Sequence, residues 1–169
     1  AQSERNSLAT QIAHNAGLRA HELLTIRPAG ERHASTHREW SAERFTGRDG
    51  ERYTVEGKGG LVREVMLSKE LAIRLELERL SEPRQVIDRG VNYTQYYDIG
   101  GGRPWSQSFS AASQRELGFS NGAHGVRHSY AQERLEELQR SGMNYDDAKG
   151  TVAQEVGHFA PDTTEAYLR

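Results

Sequence analysis

A short strand-like stretch between helical segments constrains the fold of this chain most strongly. Residues 51–57 and 61–67 are rich in β-favouring apolar side chains at strand spacing. Lys58-Gly59-Gly60 lies between them, and glycines adopt turn conformations that other residues resist. The pattern predicts an antiparallel β-hairpin in a chain whose other periodic segments are helical.

Two helices are expected before the hairpin. Apolar residues spaced four apart predict a helix over residues 7–16. A second, shorter helix is expected over residues 19–26, ended by Pro28, because proline cannot continue a helix. A weaker strand is expected over residues 33–40, ahead of the hairpin.

Helical patterns also follow the hairpin. Ser68 is a typical N-cap and predicts a helix that runs to Leu80, with Leu77 and Leu80 on its buried side. Residues 82–104 are expected to be irregular. Four more helices, separated by glycines, are expected over residues 105–117, 124–141, 145–156 and 161–168. The predicted fold class is α+β, mainly α, with a small antiparallel sheet near residues 31–67.

Length and composition exclude several classes of protein. The 169 residues fit one domain over residues 1–169, and no apolar run approaches the roughly 18 residues of a membrane span. The absence of cysteine excludes disulfides, thiolate metal sites and a cysteine nucleophile. Arginine supplies 19 of the 22 basic side chains, yet the net charge is −2. An anionic partner must therefore meet a local basic face, where guanidinium groups grip phosphate well.

Two patterns in the first third of the chain place charged groups near glycines. Arg19 and Glu22 are three residues apart and share one helix face, so the carboxylate can orient the guanidinium. An ordinary surface ion pair is the more common explanation of such a pattern taken alone. Lys58 between glycines is either a solvated turn residue or an ammonium presented as a proton donor.

Two further patterns lie near the carboxyl end. His124, Arg127 and His128 share one face at the start of a helix. Histidines four residues apart can bind zinc, although the intervening Arg127 would repel a dication. His158 follows a glycine and Tyr167 comes nine residues later; singly, such residues usually cap a helix or pack in a core.

Taken in order, these patterns resemble the signature of the tyrosine recombinases, or phage-integrase family. The matching motifs are the arginine in GLRxxEL, the lysine in a GKG hairpin, HxxRH, GH and Thr-x-x-Tyr, and they extend from about residue 7 to the end. The family's six active-site roles then fall on Arg19, Lys58, His124, Arg127, His158 and Tyr167. Glu22 is similar to the family's supporting carboxylate, and His128 to its buried histidine. Residues 82–104 match no family motif.

The resemblance implies a site-specific DNA recombinase or integrase. Tyr167 would attack the phosphodiester and form a covalent 3′-phosphotyrosine intermediate, without metal, cofactor or ATP. Arg19, Arg127 and His158 would neutralise the developing charge on the phosphoryl oxygens. His124 is the expected base for the tyrosine hydroxyl, and Lys58 the expected acid for the leaving 5′-oxygen.

The family also sets expectations for partners and location. The partner is double-stranded DNA, with self-association as a tetrameric synapse in the full-length protein, and no membrane. The source is expected to be a bacterial prophage or other mobile element, and the protein cytoplasmic and nucleoid-associated. The family's N-terminal DNA-binding domain is expected to be absent from this chain.

Two other functions are compatible with parts of the pattern. The first is a non-catalytic DNA-binding accessory protein of the same fold. The second is a zinc-dependent hydrolase that uses His124, His128 and His158 as ligands. Within the recombinase chemistry, type IB topoisomerases and telomere resolvases share the residues, but the short chain favours an integrase or resolvase.

Overall fold

The computed structural model describes residues 2–118 and 122–157, with the backbone alone for Lys58 and His124. Within these ranges, five helices and five strands occur in chain order. They are α1 (Glu4–Ala16), β1 (Arg27–Pro28), β2 (Glu51–Glu56), β3 (Val62–Leu67), α2 (Lys69–Glu76), β4 (Arg79–Asp88), β5 (Val91–Tyr97), α3 (Gly102–Leu117), α4 (His124–Arg140) and α5 (Tyr145–Glu155).

Helix α1 lies at the centre of the fold and contacts α2, α3, α4 and β3. It begins earlier than the sequence predicts because the Ser3 side chain accepts a hydrogen bond from the backbone N–H of Asn6, at 3.3 Å. It ends at Gly17, which is left-handed with a φ of 72° and donates its N–H to Ala13. Its apolar stripe, which includes Leu8 and Ile12, is buried in the core.

The predicted hairpin is confirmed. Strands β2 and β3 pair antiparallel, with Tyr53 opposite Val65, and the order of the first sheet is β1-β2-β3. Residues 63, 65 and 67 of β3 alternate onto one buried face. Two of them are apolar, and the third is Arg63, which lies 1% exposed beside the hydrophobic core.

The predicted helix over residues 19–26 is wrong. A single 3₁₀ turn forms over Glu22–Leu24, and the chain then extends into β1. The Glu22 carboxylate accepts the Arg19 N–H at 2.8 Å, which favours a tight local turn. Leu23, Leu24 and Ile26 are all buried, so the segment lacks the exposed face of a surface helix.

The predicted strand over residues 33–40 is also wrong. The strand that completes the three-stranded sheet is β1, which pairs with β2. Ser35 forms the contact with β3: its N–H donates to the Val62 carbonyl, and its hydroxyl accepts from the Val62 N–H. The Trp40 indole N–H folds back to the Ser35 carbonyl at 2.9 Å. Two of these bonds join Ser35 to β3 and the third closes the loop back on Ser35, without a strand ladder.

The expectation of irregular structure over residues 82–104 is wrong, because β4 and β5 form a long antiparallel hairpin from Arg79 to Tyr97. The two-residue turn Arg89-Gly90 has positive φ at both positions, 50° and 79°, as a type I′ turn requires. β5 has the sequence VNYTQYY, rich in the β-branched and aromatic residues that favour strands. That composition is the signal that the expectation of irregular structure overlooked.

Helix α2 is capped by Ser68 as predicted, but it ends at Glu76 rather than Leu80. Leu77 is therefore not on a buried helix face; it is 79% exposed. The chain leaves the helix early because β4 begins at Arg79 to pair with Tyr97 of β5.

The remaining described helices confirm the sequence expectations. Helices α3, α4 and α5 match the predicted segments to within three residues, and the predicted helix over residues 161–168 lies outside the described residues. Helix α4 packs between α1 and α5, and a second apolar cluster that includes Leu138 and Val152 joins α4 to α5. None of the described helices is long and apolar enough to cross a membrane.

A buried charge network also joins α4 and α5. Both side chains of the Arg134–Glu155 pair are fully buried, with two N–O contacts of 2.8 and 2.9 Å. Tyr130 donates its hydroxyl to Glu155 at 2.7 Å, and the backbone N–H of Phe45 donates at 2.9 Å. Glu155 therefore holds the end of α5 against α4 and the loop after β1.

Gly17 is expected to tolerate no side chain. A Cβ at Gly17 would lie 2.7 Å from the Tyr130 ring, whereas one at Gly47 would meet nothing within 4 Å, and both glycines have left-handed φ. Gly17→Ala should therefore lower the free energy of unfolding by about 1–3 kcal/mol more than Gly47→Ala does. Urea denaturation of both variants checks this, and equal losses would contradict the proposed clash.

Candidate active site

Two buried guanidinium groups share one buried carboxylate at the centre of the candidate site. Glu22 is fully buried, and Arg63 and Arg127 are each 1% exposed. Arg63 forms the closer pair, with Nη2 2.9 Å and Nε 3.3 Å from the two carboxylate oxygens of Glu22. The Arg127 Nη1 lies 3.5 Å from Glu22 Oε1. The backbone N–H of Arg19 completes the set around that oxygen.

Three different segments supply these groups. Glu22 comes from the 3₁₀ turn after α1, Arg63 from the inward face of β3 and Arg127 from the first turns of α4. The two arginines also bind backbone carbonyls. The Gly17 carbonyl accepts from Arg127 at 3.0 Å and from Arg63 at 3.4 Å. The site therefore forms where the end of α1, the sheet and the start of α4 meet.

The same two arginines hold the end of α5. Arg127 donates to the Val156 carbonyl at 2.8 Å, and Arg63 donates to the Glu155 carbonyl. Gly157 lies so close to Arg63 that a Cβ there would be 2.8 Å from its Cδ. The backbone that leads directly to residue 158 is thereby fixed against the charge cluster.

Glu22 is ionised at physiological pH. Burial alone would raise the pKa of its carboxyl group, but the charges of Arg63 and Arg127 and the hydrogen bonds from Arg63 and the Arg19 N–H lower it to about 2. One carboxylate therefore faces two guanidinium groups, and this cluster carries a net positive charge. A buried excess of positive charge favours an anion in the adjacent space.

A basic cavity of about 320 Å³ lies next to this cluster. This volume is at the lower end of the range for small-ligand sites. No acidic side chain is present among the described residues that line it: Arg19, Ala20, His21, Arg89, Ser106, Gly122, Ala123 and Arg127. Three arginines and a histidine among the residues that line one cavity suit a phosphate group.

His21 is a cavity residue that the sequence reasoning missed. Burial lowers the pKa of its imidazole, and Arg19 and Arg127 lower it further against the opposing effect of Glu22. His21 is therefore mainly neutral at pH 7. Its ring stacks on Tyr93, with centroids 6.1 Å apart. Its position between Arg19 and Glu22 in the sequence was the available signal.

Arg63 was also missed, although its position carried a signal. It alternates with Val65 and Leu67 along β3, so strand periodicity places it on the inward face. An arginine at an inward strand position needs a buried counter-charge, and Glu22 is that group.

Of the eight residues singled out from the sequence, four have described side chains. Arg19 and Arg127 line the same cavity, and Glu22 lies against Arg127. His128 follows Arg127 in α4 and is partly buried. Arg19 and Arg127, which the recombinase hypothesis assigns to one site, therefore line the same cavity.

For two of the other four residues the structure describes only the backbone, and the remaining two lie outside the described residues. Lys58 begins a 3₁₀ turn between β2 and β3, and His124 is the first residue of α4. His158 and Tyr167 lie beyond residue 157, where the description ends.

Comparison of the sequence with models of protein families and with curated proteins gives no match. Solved structures do match. The XerH site-specific recombinase bound to a palindromic difH substrate, in a post-cleavage complex, aligns over the whole chain with 22% identity and a TM-score of 0.56. The Tn1549 transposon integrase in complex with transposon right-end DNA aligns over 98% of the chain, with 15% identity and a TM-score of 0.51.

The chain has the tyrosine-recombinase fold. This confirms the predicted fold class, α+β and mainly α. The chain spans about half the length of these tyrosine recombinases, 44% of XerH and 54% of the Tn1549 integrase.

Glu22 is expected to contribute a stability that acid removes. Its folded pKa of about 2 lies below the ordinary value of 4.5, so the unfolded chain binds the proton more readily. The contribution is complete above pH 4.5 and is lost as the pH falls towards 2, by about 3 kcal/mol. At pH 7, Glu22→Gln should lower the free energy of unfolding by about 3–5 kcal/mol, because two buried guanidinium groups lose their counter-charge.

Urea unfolding of the wild type and Glu22→Gln at neutral and acid pH measures both effects. Glu116→Gln, on the exposed side of α3, is the matched control and should change neither the stability nor its pH dependence appreciably. If Glu22→Gln loses as much stability in acid as the wild type, the buried carboxylate is not the responsible group.

Proposed function

We propose that this chain is the catalytic domain of a tyrosine-type site-specific DNA recombinase. One observation carries the proposal: Arg19 and Arg127, far apart in the sequence, line one cavity whose described walls bear no acidic side chain. The similarity in fold to XerH and the Tn1549 integrase supports it. The positions of Lys58, His124, His158 and Tyr167 match the family motifs in order.

The cavity would bind the scissile phosphodiester and stabilise its transition state. As the nucleophile approaches, negative charge grows on the non-bridging oxygens, and the guanidinium groups of Arg19 and Arg127 neutralise it. Arg127 is held by the carbonyls of Gly17 and Val156, so its orientation is set before DNA binds. Preorganisation of this kind avoids the cost of reorienting the charges during the reaction. His158, which follows Gly157 in the sequence, would donate a further hydrogen bond.

Tyr167 would supply the nucleophile. Its hydroxyl oxygen forms a bond to phosphorus as the bond from phosphorus to the 5′-oxygen breaks, which leaves a 3′-phosphotyrosine and a free 5′-hydroxyl. His124 takes the tyrosine proton, and Lys58 protonates the leaving oxygen. Attack by a 5′-hydroxyl of another strand reverses the steps and rejoins the DNA without ATP. The reaction needs no metal or cofactor, since the arginines carry the positive charge.

The natural partner in this proposal is double-stranded DNA. The structures of XerH and of the Tn1549 integrase named above are complexes with DNA. The full-length protein would act as a tetrameric synapse on two DNA sites, in the bacterial cytoplasm and at the nucleoid. Its origin would be a prophage or another mobile element.

A covalent protein–DNA adduct is the decisive product. A nicked suicide duplex that carries the cognate site should yield an adduct on a denaturing gel, because loss of the short 5′ fragment prevents religation. Tyr167→Phe should abolish the adduct, and a metal chelator should leave it unchanged. An adduct that persists in Tyr167→Phe would exclude Tyr167 as the nucleophile, and loss of the adduct on chelation would indicate a metal-dependent reaction.

Arg19 is expected to act on the rate rather than on the fold. Its side chain is partly exposed at the cavity, whereas Arg63 and Arg127 are buried. Arg19→Ala should slow adduct formation about 10²–10³-fold, the usual loss for one donor to a developing oxyanion. Single-turnover kinetics measures the change, with the thermal unfolding midpoint as the check on folding. Arg115→Ala, at the exposed end of α3, is the control and should retain the wild-type rate.

A further inference from the structure

The tip of the β4–β5 hairpin contributes a third arginine to the cavity. Arg89 lies in the two-residue turn of this hairpin and lines the cavity with Arg19 and Arg127. The tip of this hairpin falls in the segment 82–104, which matches no recombinase motif. The proposed strand-transfer chemistry therefore gives Arg89 no role, and its position in the cavity needs a separate explanation.

Two direct contacts, and a third that acts through α3, hold the hairpin tip at the cavity. The Asp88 carboxylate accepts the backbone N–H of Arg103 at 2.8 Å, at the start of α3. The neighbouring Gly102 N–H donates to the Ala20 carbonyl at 2.7 Å, which ties α3 to the cavity wall. Tyr93 of β5 stacks on His21. Arg89 is thereby held next to the candidate phosphate site by the fold.

The backbone at Arg89 is unfavourable for an arginine. Its φ of 50° is left-handed, a conformation that costs most L-residues roughly 1–2 kcal/mol. Type I′ turns favour Asn-Gly, Asp-Gly or Gly-Gly at their centre, and this turn has Arg-Gly. The turn therefore carries a side chain that its geometry does not favour. Strain of this kind often marks a position whose side chain serves a function.

We propose that Arg89 binds a DNA phosphate next to the scissile one. The position of that phosphate rests on the proposed strand-transfer function, because the scissile group occupies the space between Arg19 and Arg127. The phosphates of a DNA strand follow one another along its backbone. The guanidinium group of Arg89, which lines the same cavity, would therefore meet the phosphate next to the scissile one. This contact would fix the register of the strand in the cavity without reading its sequence.

Substitution by asparagine tests the side chain without disturbing the turn. Arg89→Asn removes the guanidinium and creates Asn-Gly, the residue pair that type I′ turns favour. Its thermal unfolding midpoint should equal or exceed that of the wild type. Arg140→Ala is the matched control, because it removes one exposed arginine at the last residue of α4. The cavity lies at the first turn of this helix, and the helix axis rises about 24 Å from its first residue to Arg140.

The measurement is fluorescence anisotropy with a labelled DNA duplex of arbitrary sequence, several helical turns long, over a series of salt concentrations. Arg89→Asn should weaken binding several-fold and reduce the slope of log affinity against log salt by about 0.9, the value for one phosphate contact. Arg89→Lys should keep the wild-type slope, since it retains the charge. Arg140→Ala should match the wild type in both affinity and slope.

If the slope of log affinity against log salt is the same for Arg89→Asn and Arg140→Ala, Arg89 makes no phosphate contact. The proposal is also overturned if the wild-type protein does not bind the duplex at low salt. The covalent adduct assay separates this outcome from failure of the proposed function. A wild-type chain that binds DNA but forms no adduct on its cognate nicked duplex counts against strand transfer, while the slopes still decide the role of Arg89.

Discussion

A buried carboxylate between two buried guanidinium groups organises this structure. Neither arginine is stable in a protein interior without a counter-charge, and Glu22 supplies it to both Arg63 and Arg127. Since the three residues come from a turn, a strand and a helix, their pairing fixes how these elements meet. The Gly17 carbonyl adds an acceptor that the two arginines share.

This cluster is coupled to the second buried network through the end of α5. Arg63 binds the Glu155 carbonyl, while the Glu155 side chain binds Arg134 and Tyr130. The two networks therefore hold the same residue, one by its backbone and the other by its side chain. The chain that leaves this point leads to His158, so the charge clusters also set the starting point of the segment that bears the proposed nucleophile.

Much of the fold was predictable from local pattern, and each failure has an identifiable physical cause. The hairpin of β2 and β3 and the helices α3 to α5 follow from periodicity, which acts over a few residues. The predicted helix over residues 19–26 does not form because Glu22 turns inward to Arg63 and Arg127, and no local pattern reveals these long-range contacts. The prediction that Leu77 lies on a buried helix face is wrong because α2 ends at Glu76. The residues around Leu77 in the sequence do not show that β4 begins at Arg79. The β4–β5 hairpin was missed even though the composition of β5 favours a strand.

The sequence by itself determined the order of the motifs and the residue types available for chemistry, among them the arginines. Convergence was decided by the tertiary structure alone, because a cavity lined by Arg19, Arg89 and Arg127 exists only when three distant segments pack together. The same holds for Arg63 and His21, whose burial and partners depend on contacts far away in the chain. Local sequence encodes backbone preference, whereas the placement of charge in a low-dielectric interior depends on every segment that surrounds it.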